Sequence, residues 1–371
     1  MARKRLTILP AVRAVELFFN LIFWGIFVLA LLSPHISPRT LSWPSLFNLA
    51  YPLLLFFAVC LLLFYLIRRI WWIAGVYILL LLVSLNYTLT YFPLNSPDKK
   101  AKKDLRVMSY NVVGFSRSQD NNLLAADLIL RYDPDIVCLQ EASLSGNRRE
   151  NQRRFERYFG KKWKYINTSC GQDIPSRGLV LLSKYPIRSC EMIRYPSEGN
   201  GSRLYIIDFP GKKRLLLVNN HLESYKLTPE EKTHYKYRIK NSSLKSYPRI
   251  LNDVRQRIGP QLRIRALASE RVASRVAAVR QELHPDYVIV CGDLNDTPMS
   301  YAYSQLRGDL DDGFADKGRG RGISFNERFF PFRIDHLFYG RGLKAVRARI
   351  PRHKECSDHN PLIVDFKIQK R

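Results

Sequence analysis

The stretch Tyr287–Pro298 reads YVIVCGDLNDTP, and it combines the two features that decide the fold. Its first half is a short apolar run rich in β-branched residues, which predicts a strand buried in a sheet. Its second half becomes polar at once, with Gly292 and Asp293 at the strand exit and Asn295 two residues later. Glycine and aspartate are also common in ordinary turns, so this stretch alone fits a functional site and a structural strand end equally well.

Similar apolar runs recur along the C-terminal three quarters of the chain. They occupy residues 105–110, 135–139, 178–183, 204–209, 215–219, 334–338 and 362–366. Helical patterns lie between several of them, notably at 122–131 and 263–283. Because hairpin-like neighbours are mixed with strand–helix–strand units, the order predicts an α/β or α+β fold with mixed sheets.

Polar residues that suit metal or phosphate binding stand at the ends of these runs. They are Asn111, Glu141, His221, Asp293, Asn295, Asp335, Asp358 and His359. Each one alone has a structural explanation as a turn, cap or edge residue. Because a sheet delivers its strand ends to one edge, the set as a whole predicts a site at a single rim.

The charge of the chain favours anionic partners. The formal net charge is +27, and residues 98–371 carry 52 Lys and Arg against 31 Asp and Glu, a net charge of +21. Nucleic acid, acidic lipid headgroups and phosphorylated small molecules all suit such a surface, and many membrane-surface proteins carry it with no nucleic-acid role. The six cysteines show no CxxC pair or regular spacing, so neither a zinc site nor a disulfide framework is indicated.

Three hydrophobic segments precede the soluble part, at about residues 14–32, 46–67 and 70–89. Each is close to the roughly 20 residues that cross a bilayer core. The first contains Glu16 and Asn20, and a cleavable signal peptide is its alternative reading. The other two lack a polar face, which favours membrane spans over buried soluble helices.

Basic residues in the short flanks predict the orientation of these spans. Residues 3–5 and the Arg68–Arg69 turn favour a cytoplasmic N-terminus, which puts the C-terminal part outside the cytoplasm after three crossings. Lysines at 99–103 favour the opposite orientation. We therefore divide the chain into a membrane anchor (1–92), a linker (93–103) and a catalytic domain (104–371), with the extracytoplasmic side of a bacterial inner membrane as the expected location.

Seven strings in the C-terminal part carry a family resemblance. They are MSYNV (108–112), DIVCLQE (135–141), GLVLLSKYPI (178–187), VNNHL (218–222), GDLNDTP (292–298), IDH (334–336) and SDHNPL (357–362). In this order, and over nearly all of 104–367, they resemble the endonuclease/exonuclease/phosphatase superfamily. The resemblance implies a four-layered α/β sandwich with two central mixed β-sheets, and metal-dependent hydrolysis of phosphoester bonds.

The resemblance also implies metal ligands. Glu141 is similar to the family's main metal-binding carboxylate, with Asn111 beside it and Asp358 reaching the metal directly or through water. Oxygen donors of this kind suit Mg²⁺ or Mn²⁺.

The remaining roles implied by the resemblance concern phosphate and water. His359 is similar to the histidine that contacts the scissile phosphate and helps to activate water, with Asp335 orienting it. Asp293 is similar to the carboxylate that orients or deprotonates water, and Asn295 to a donor to the phosphate. His221 is similar to the second histidine, which binds phosphate or protonates the leaving group. His336 and His353 match no family role and are expected in packing or at the surface.

A basic, tyrosine-rich insertion at about 224–265 leaves the substrate class open. Its candidate substrate-binding residues are Lys226, Tyr235, Lys236 and Arg238. Tyrosines among basic residues suit stacking on bases, the same charges suit lipid headgroups, and a solvated insertion without a ligand is the third reading. The sequence thus predicts a hydrolase acting on nucleic acid, a phospholipid headgroup or another phosphoester. The alternative is an inactive binding protein on the same scaffold, and no protein partner is indicated.

Overall fold

Two six-stranded β-sheets with flanking helices form the C-terminal part of the chain, and a bundle of apolar helices precedes it. The computed structural model describes residues 2–96, 102–116, 118–119, 122–170, 178–197, 199–225, 247–327 and 330–369. The helices are α1 Ala2–Leu32, α2 Trp43–Leu49, α3 Tyr51–Ile67, α4 Trp71–Val83, α5 Leu85–Tyr91, α6 Leu124–Tyr132, α7 Arg148–Phe159, α8 Tyr247–Leu283, α9 Tyr301–Arg307 and α10 Gly313–Lys317.

The strands alternate with these helices in the C-terminal part. They are β1 Leu105–Asn111, β2 Ser118–Gln119, β3 Asn122–Leu123, β4 Ile136–Gln140, β5 Tyr165–Asn167, β6 Val180–Ser183, β7 Ile187–Ile193, β8 Gly201–Phe209, β9 Lys213–His221, β10 Tyr287–Asp293, β11 Asp311–Asp312, β12 Phe325–Glu327, β13 Phe330–Phe332, β14 Asp335–Tyr339, β15 Leu343–Arg349 and β16 Leu362–Ile368. One sheet has the order β15-β16-β1-β4-β6-β5 and the other β11-β14-β10-β9-β8-β7. Each contains one parallel pair, β1–β4 and β9–β10, among antiparallel neighbours, so the predicted mixed sheets are confirmed.

Burial on both faces explains the continuous apolar runs of the central strands. In β10, Ile289 and Cys291 face the core between the two sheets, whereas Val288 and Val290 face the core beneath α8 and α9. Side chains alternate along a strand, so a strand covered on both faces has apolar residues at every position. The layers are therefore helix, sheet, sheet and helix, as the resemblance implied.

The N-terminal helices include one, Val12–His35, that is long and apolar enough to cross a membrane. Helix α2 with α3, and α4 with α5, form two bent pairs, and the number of candidate membrane spans is as many as three if each pair is one span. Asn20 lies inside the bundle, where its side chain donates to Tyr65 Oη at 2.6 Å and accepts from Tyr77 Oη at 2.7 Å. The polar residue in the first segment therefore joins three helices, a common use of polar groups between membrane helices.

Helix α8 begins earlier than the sequence predicts. The sequence predicts a helix over 263–283, but the helix starts at Tyr247 and continues through Pro260. Residues 247–265 of the predicted insertion are thus part of one long helix. The four candidate substrate-binding residues, Lys226, Tyr235, Lys236 and Arg238, lie outside the described residues.

Candidate active site

The parallel strand pairs bring four of the predicted residues to one rim. Asn111 ends β1 and Glu141 follows β4, its parallel neighbour. His221 ends β9 and is paired in register with Asp293, which ends β10. Strand β14 runs antiparallel to β10 and pairs Asp335 with Asp293, so its first residue reaches the same rim.

Asn111 stands between two carboxylates. Its Nδ2 donates to Glu141 Oε1 at 3.1 Å and to Asp293 Oδ2 at 3.0 Å, while its Oδ1 accepts from the backbone N–H of Val113 at 3.1 Å. Asn111 therefore holds the two acids side by side. One lone pair of its Oδ1 stays available, so its role as a metal ligand remains a prediction.

Glu141 and Asp293 differ in exposure. The Asp293 side chain is buried, whereas that of Glu141 is 43% exposed. A half-exposed carboxylate beside a buried one forms an oxygen-rich site that is open to solvent on one side, which fits a hard divalent cation. Glu141 is therefore the member of the set best placed to hold an ion.

His359 and Asp335 form a buried dyad. His359 Nδ1 lies 2.9 Å from Asp335 Oδ2, and His359 Nε2 lies 3.7 Å from Asp293 Oδ2. Burial lowers the pKa of His359, but the carboxylates of Asp335 and Asp293 outweigh burial and raise it to about 10. At neutral pH both ring nitrogens therefore carry protons, and Nε2 is a charged donor that faces the rim.

The same three residues, Asp293, Asp335 and His359, place one potential ligand atom each within 4.8 Å of one another. A metal ion at this point is a second interpretation of the cluster. We favour the dyad, because Asp335 Oδ2 lies 2.9 Å from His359 Nδ1, as expected of a carboxylate that orients the ring.

His221 faces the carboxylates from the other side. Its Nε2 lies 3.5 Å from Glu141 Oε1 and 3.8 Å from Asp293 Oδ2. Its Nδ1 is buried and has no hydrogen-bond partner among the described residues. His221 and His359 thus both lie within 4 Å of Asp293 Oδ2, as expected for two groups that contact one phosphate.

Asn295 and Asp358 lie beside the residues of the rim, and their predicted roles stay predictions. Asn295 donates its side-chain N–H to Leu222 O at 2.9 Å, and its backbone N–H to Asp293 Oδ1 at 2.8 Å. It therefore fixes the Asp293 carboxylate in this structure. Asp358 is half-buried and adjoins His359, with Ser357 Oγ 3.5 Å from its Oδ1, and its contact with a metal stays a prediction.

The backbone around the rim is unusual. Val113, Glu141 and Asn295 have φ of 47°, 50° and 50°, a left-handed conformation that is costly for side chains with a Cβ and especially for valine. Gly178 and Gly292 allow the chain to pack closely beside these residues, since a Cβ on Gly292 would lie 2.0 Å from Asn220 O. Strained residues collected at one place are typical of functional sites.

Two supporting residues were not predicted. Gln140 and Asn219 are fully buried between the sheets, and Gln140 Nε2 donates to Asn219 Oδ1 at 2.7 Å. Gln140 directly precedes Glu141, and Asn219 lies two residues before His221. The hydrogen bond between them therefore holds the ends of β4 and β9 in register. Their signal was a polar residue inside an apolar strand, which requires a buried partner.

His336 and His353, which match no family role, make contacts with other groups. His336 is buried, and its Nε2 contacts Asp296 O at 3.0 Å. His353 contacts Tyr132 Oη at 3.1 Å and Glu355 at 3.2 Å. Both serve packing or local hydrogen bonding.

An α/β sandwich with acids, amides and histidines at one sheet rim defines a class of phosphoester hydrolases. The model of the Endonuclease/Exonuclease/phosphatase family matches residues 108–359. The chain belongs to this family, and it is a hydrolase that acts on phosphoester bonds. Members of the family generally use a divalent metal. A second model, a domain of unknown function (DUF8431), matches residues 12–91.

Solved structures with a similar fold come from several organisms. The human Nocturnin catalytic domain is 15% identical, with a TM-score of 0.49 over 71% of this chain and 94% of that one. The mannosyl-6-phosphatase Bt3783 of Bacteroides thetaiotaomicron is 14% identical, with a TM-score of 0.49 over 71% and 100%. Truncated TDP2 of Caenorhabditis elegans is 17% identical, with a TM-score of 0.47 over 71% and 97%. A search of curated proteins gives no match.

Proposed function

We propose that this chain is a membrane-anchored, divalent-cation-dependent phosphoester hydrolase in which a water molecule attacks phosphorus directly. The observation that carries the proposal is the position of Asp293. Its Oδ2 lies 3.0 Å from Asn111 Nδ2, 3.8 Å from His221 Nε2 and 3.7 Å from His359 Nε2. These contacts fix the Asp293 carboxylate beside two imidazoles that suit phosphate binding, where it can accept the proton of a water that attacks the phosphate.

Glu141 would hold the cation, with Asn111 and Asp358 completing the protein's share of its ligands. Mg²⁺ and Mn²⁺ fit this set, because its donors are oxygens. A bound divalent cation would polarise the phosphoryl oxygen and stabilise the leaving oxyanion.

The two histidines bind the phosphate in this proposal. His359, fixed by Asp335, presents a charged N–H to the phosphate oxygens as negative charge grows on them. His221 is placed to bind phosphate or to protonate the leaving oxygen. Asp293 takes the proton of the attacking water. In this proposal Asp293 activates the water, a role that the sequence resemblance shared between Asp293 and the His359–Asp335 pair.

The helical bundle supports attachment to a membrane. Large apolar side chains on its outside, among them Phe19, Phe56 and Leu82, are strongly exposed, which suits lipid better than water. The ion pair of Arg68 with Glu16 joins the turn after α3 to the first part of α1, so the basic residues gather at one end of the bundle. With that end in the cytoplasm, the catalytic domain lies outside it. We propose a bacterial inner membrane as the location.

The test uses the full chain in lipid nanodiscs. We expect hydrolysis of bis-p-nitrophenyl phosphate with Mg²⁺ or Mn²⁺, and its loss with EDTA. Glu141→Ala and His359→Ala should each abolish turnover without unfolding the domain, whereas the control His353→Ala, a histidine away from the rim, should not. Wild-type rates from a folded Glu141→Ala or His359→Ala variant would contradict the site, and no turnover of any phosphoester by wild type would favour an inactive binding protein.

A further inference from the structure

The loop that follows catalytic strand β10 packs against the end of the helical bundle. Asn48 Nδ2 donates to Thr297 Oγ1 at 3.3 Å, and Ser33 Oγ donates to Met299 O at 3.4 Å. The Met299 side chain also packs against the buried apolar cluster of the bundle. Thr297 is four residues from Asp293, so their Cα atoms are at most about 14 Å apart. A residue that the bundle end contacts, Thr297, therefore lies within about 14 Å of Asp293, measured between Cα atoms.

A second segment at the rim touches the chain where it leaves the bundle. Arg333, two residues before Asp335, donates a hydrogen bond to Thr90 O. Leu94 pairs with Arg319 in a β-bridge. The end of the bundle thus contacts segments next to both Asp293 and Asp335, and the rim of the sheets is on the side of the domain that faces the bundle.

The surface around these contacts has the composition of a membrane interface. At this end α2 departs from α3 by 70° and α5 from α4 by 55°. Leu94 is 76% exposed, Trp43 lies at the start of α2, and Arg319 and Arg321 are exposed nearby. Exposed apolar and aromatic side chains beside arginines are typical of the headgroup layer, which suits both kinds of group.

We propose that the substrate is a phosphoester in the headgroup of a lipid of the same membrane, which reaches the rim without leaving the bilayer. This inference rests on the proposed hydrolase function. The segments that contact the bundle end lie four residues from Asp293 and two residues from Asp335, so the rim is next to the level at which the helices leave the bilayer core. Exposed arginines attract anionic lipids by about 1 kcal/mol each, whereas the same lipid surface repels a nucleic acid.

The reaction is a hydrolysis. The oxygen of water forms a bond to phosphorus, the ester P–O bond breaks, and the released alcohol oxygen takes a proton. The water proton passes to Asp293, so neither an oxidant nor a second substrate is required.

The test compares lipid in the same bilayer with lipid in another bilayer. The full chain is reconstituted in phosphatidylcholine vesicles that contain phosphatidylglycerol, phosphatidylethanolamine, sphingomyelin and phosphatidic acid, and released products are measured by mass spectrometry. We expect at least one of these lipids to be cleaved in the protein's own vesicles at least tenfold faster than in added protein-free vesicles. Bis-p-nitrophenyl phosphate, DNA and RNA are assayed in parallel.

The outcomes separate this inference from the proposed function. Cleavage of bis-p-nitrophenyl phosphate without cleavage of any lipid, or faster cleavage of DNA or RNA, overturns the lipid substrate and leaves the hydrolase intact. No cleavage of any substrate overturns the hydrolase itself. Arg319→Gln should slow lipid cleavage severalfold more than it slows bis-p-nitrophenyl phosphate. The matched control Arg341→Gln, an exposed arginine beyond the far end of β14, should change neither, and equal effects of the two would count against the orientation.

Discussion

Replacing Asp335 with asparagine tests how the dyad works. The substitution keeps the size of the side chain but removes the negative charge that lies 2.9 Å from His359 Nδ1. Two unit charges about 4 Å apart in a protein interact by about 4 kcal/mol, which is about three pKa units. The pKa of His359, raised to about 10 in the wild type, should therefore fall to near neutrality.

The loss of activity in Asp335→Asn should then depend on pH. The cationic form of His359 disappears as pH rises through its pKa, so lowering that pKa moves the loss of activity to lower pH. At pH 6 most of the variant's His359 is still protonated, whereas at pH 8 only about a tenth is, by the shift of about three units worked out above. The defect in kcat/KM should grow by about tenfold between these two values.

The assay is kcat/KM for bis-p-nitrophenyl phosphate at saturating Mg²⁺ from pH 6 to pH 9. His353→Ala is the control, because it removes a histidine away from the rim and should keep the wild-type pH profile. A defect of constant size across this range would mean that Asp335 only orients the ring. A defect that shrinks with rising pH would refute the charge argument.

Three further predictions concern stability and backbone geometry. Gly178→Ala should destabilise the domain by about 1–3 kcal/mol more than Gly211→Ala. Both glycines have positive φ, but only at Gly178 would a Cβ meet backbone atoms, at 2.7 Å. Urea unfolding of the two variants checks this, and equal losses of stability would contradict it. Arg333→Met should cost about 3–5 kcal/mol by the same measurement, since it leaves the buried Asp312 carboxylate without its cation at 3.4 Å, and a cost below about 1 kcal/mol would show that other donors suffice. Burial and Arg333 lower the pKa of His336 to about 4, so between pH 6.5 and pH 4 the unfolded chain binds a proton that the folded chain does not. The free energy of unfolding of wild type should therefore fall by up to about 3 kcal/mol over this range. His336→Gln should lose less stability over the same range.

The central strands and the rim were predictable because a strand buried on both faces is a continuous apolar run that ends where polar residues begin. Strand β10 is apolar at successive positions and becomes polar at Asp293, where the sheet ends. Strands β7 and β15 escaped prediction, since they pair at the sheet edges and carry charged residues such as Arg188 and Lys344 on their exposed side. Edge strands keep only part of the apolar pattern.

Contacts between distant segments could not be predicted from sequence alone. The pairing of Asn48 with Thr297 joins residues 249 positions apart, and neither residue type is unusual in its local context. The early start of α8 was missed because Pro260 normally ends a helix. The contacts that orient the rim toward the bundle follow from packing, and only the three-dimensional structure brings them together.

Removal and return of the cation tests the central claim most directly. The full chain in nanodiscs is stripped with EDTA, and hydrolysis of bis-p-nitrophenyl phosphate is followed as Mg²⁺ or Mn²⁺ is added back to wild type and to Glu141→Gln. We predict that wild type loses and then regains its activity, whereas folded Glu141→Gln stays inactive at cation concentrations that saturate wild type. Activity that survives complete removal of the cation, or full recovery in Glu141→Gln at the same concentration, would contradict the account.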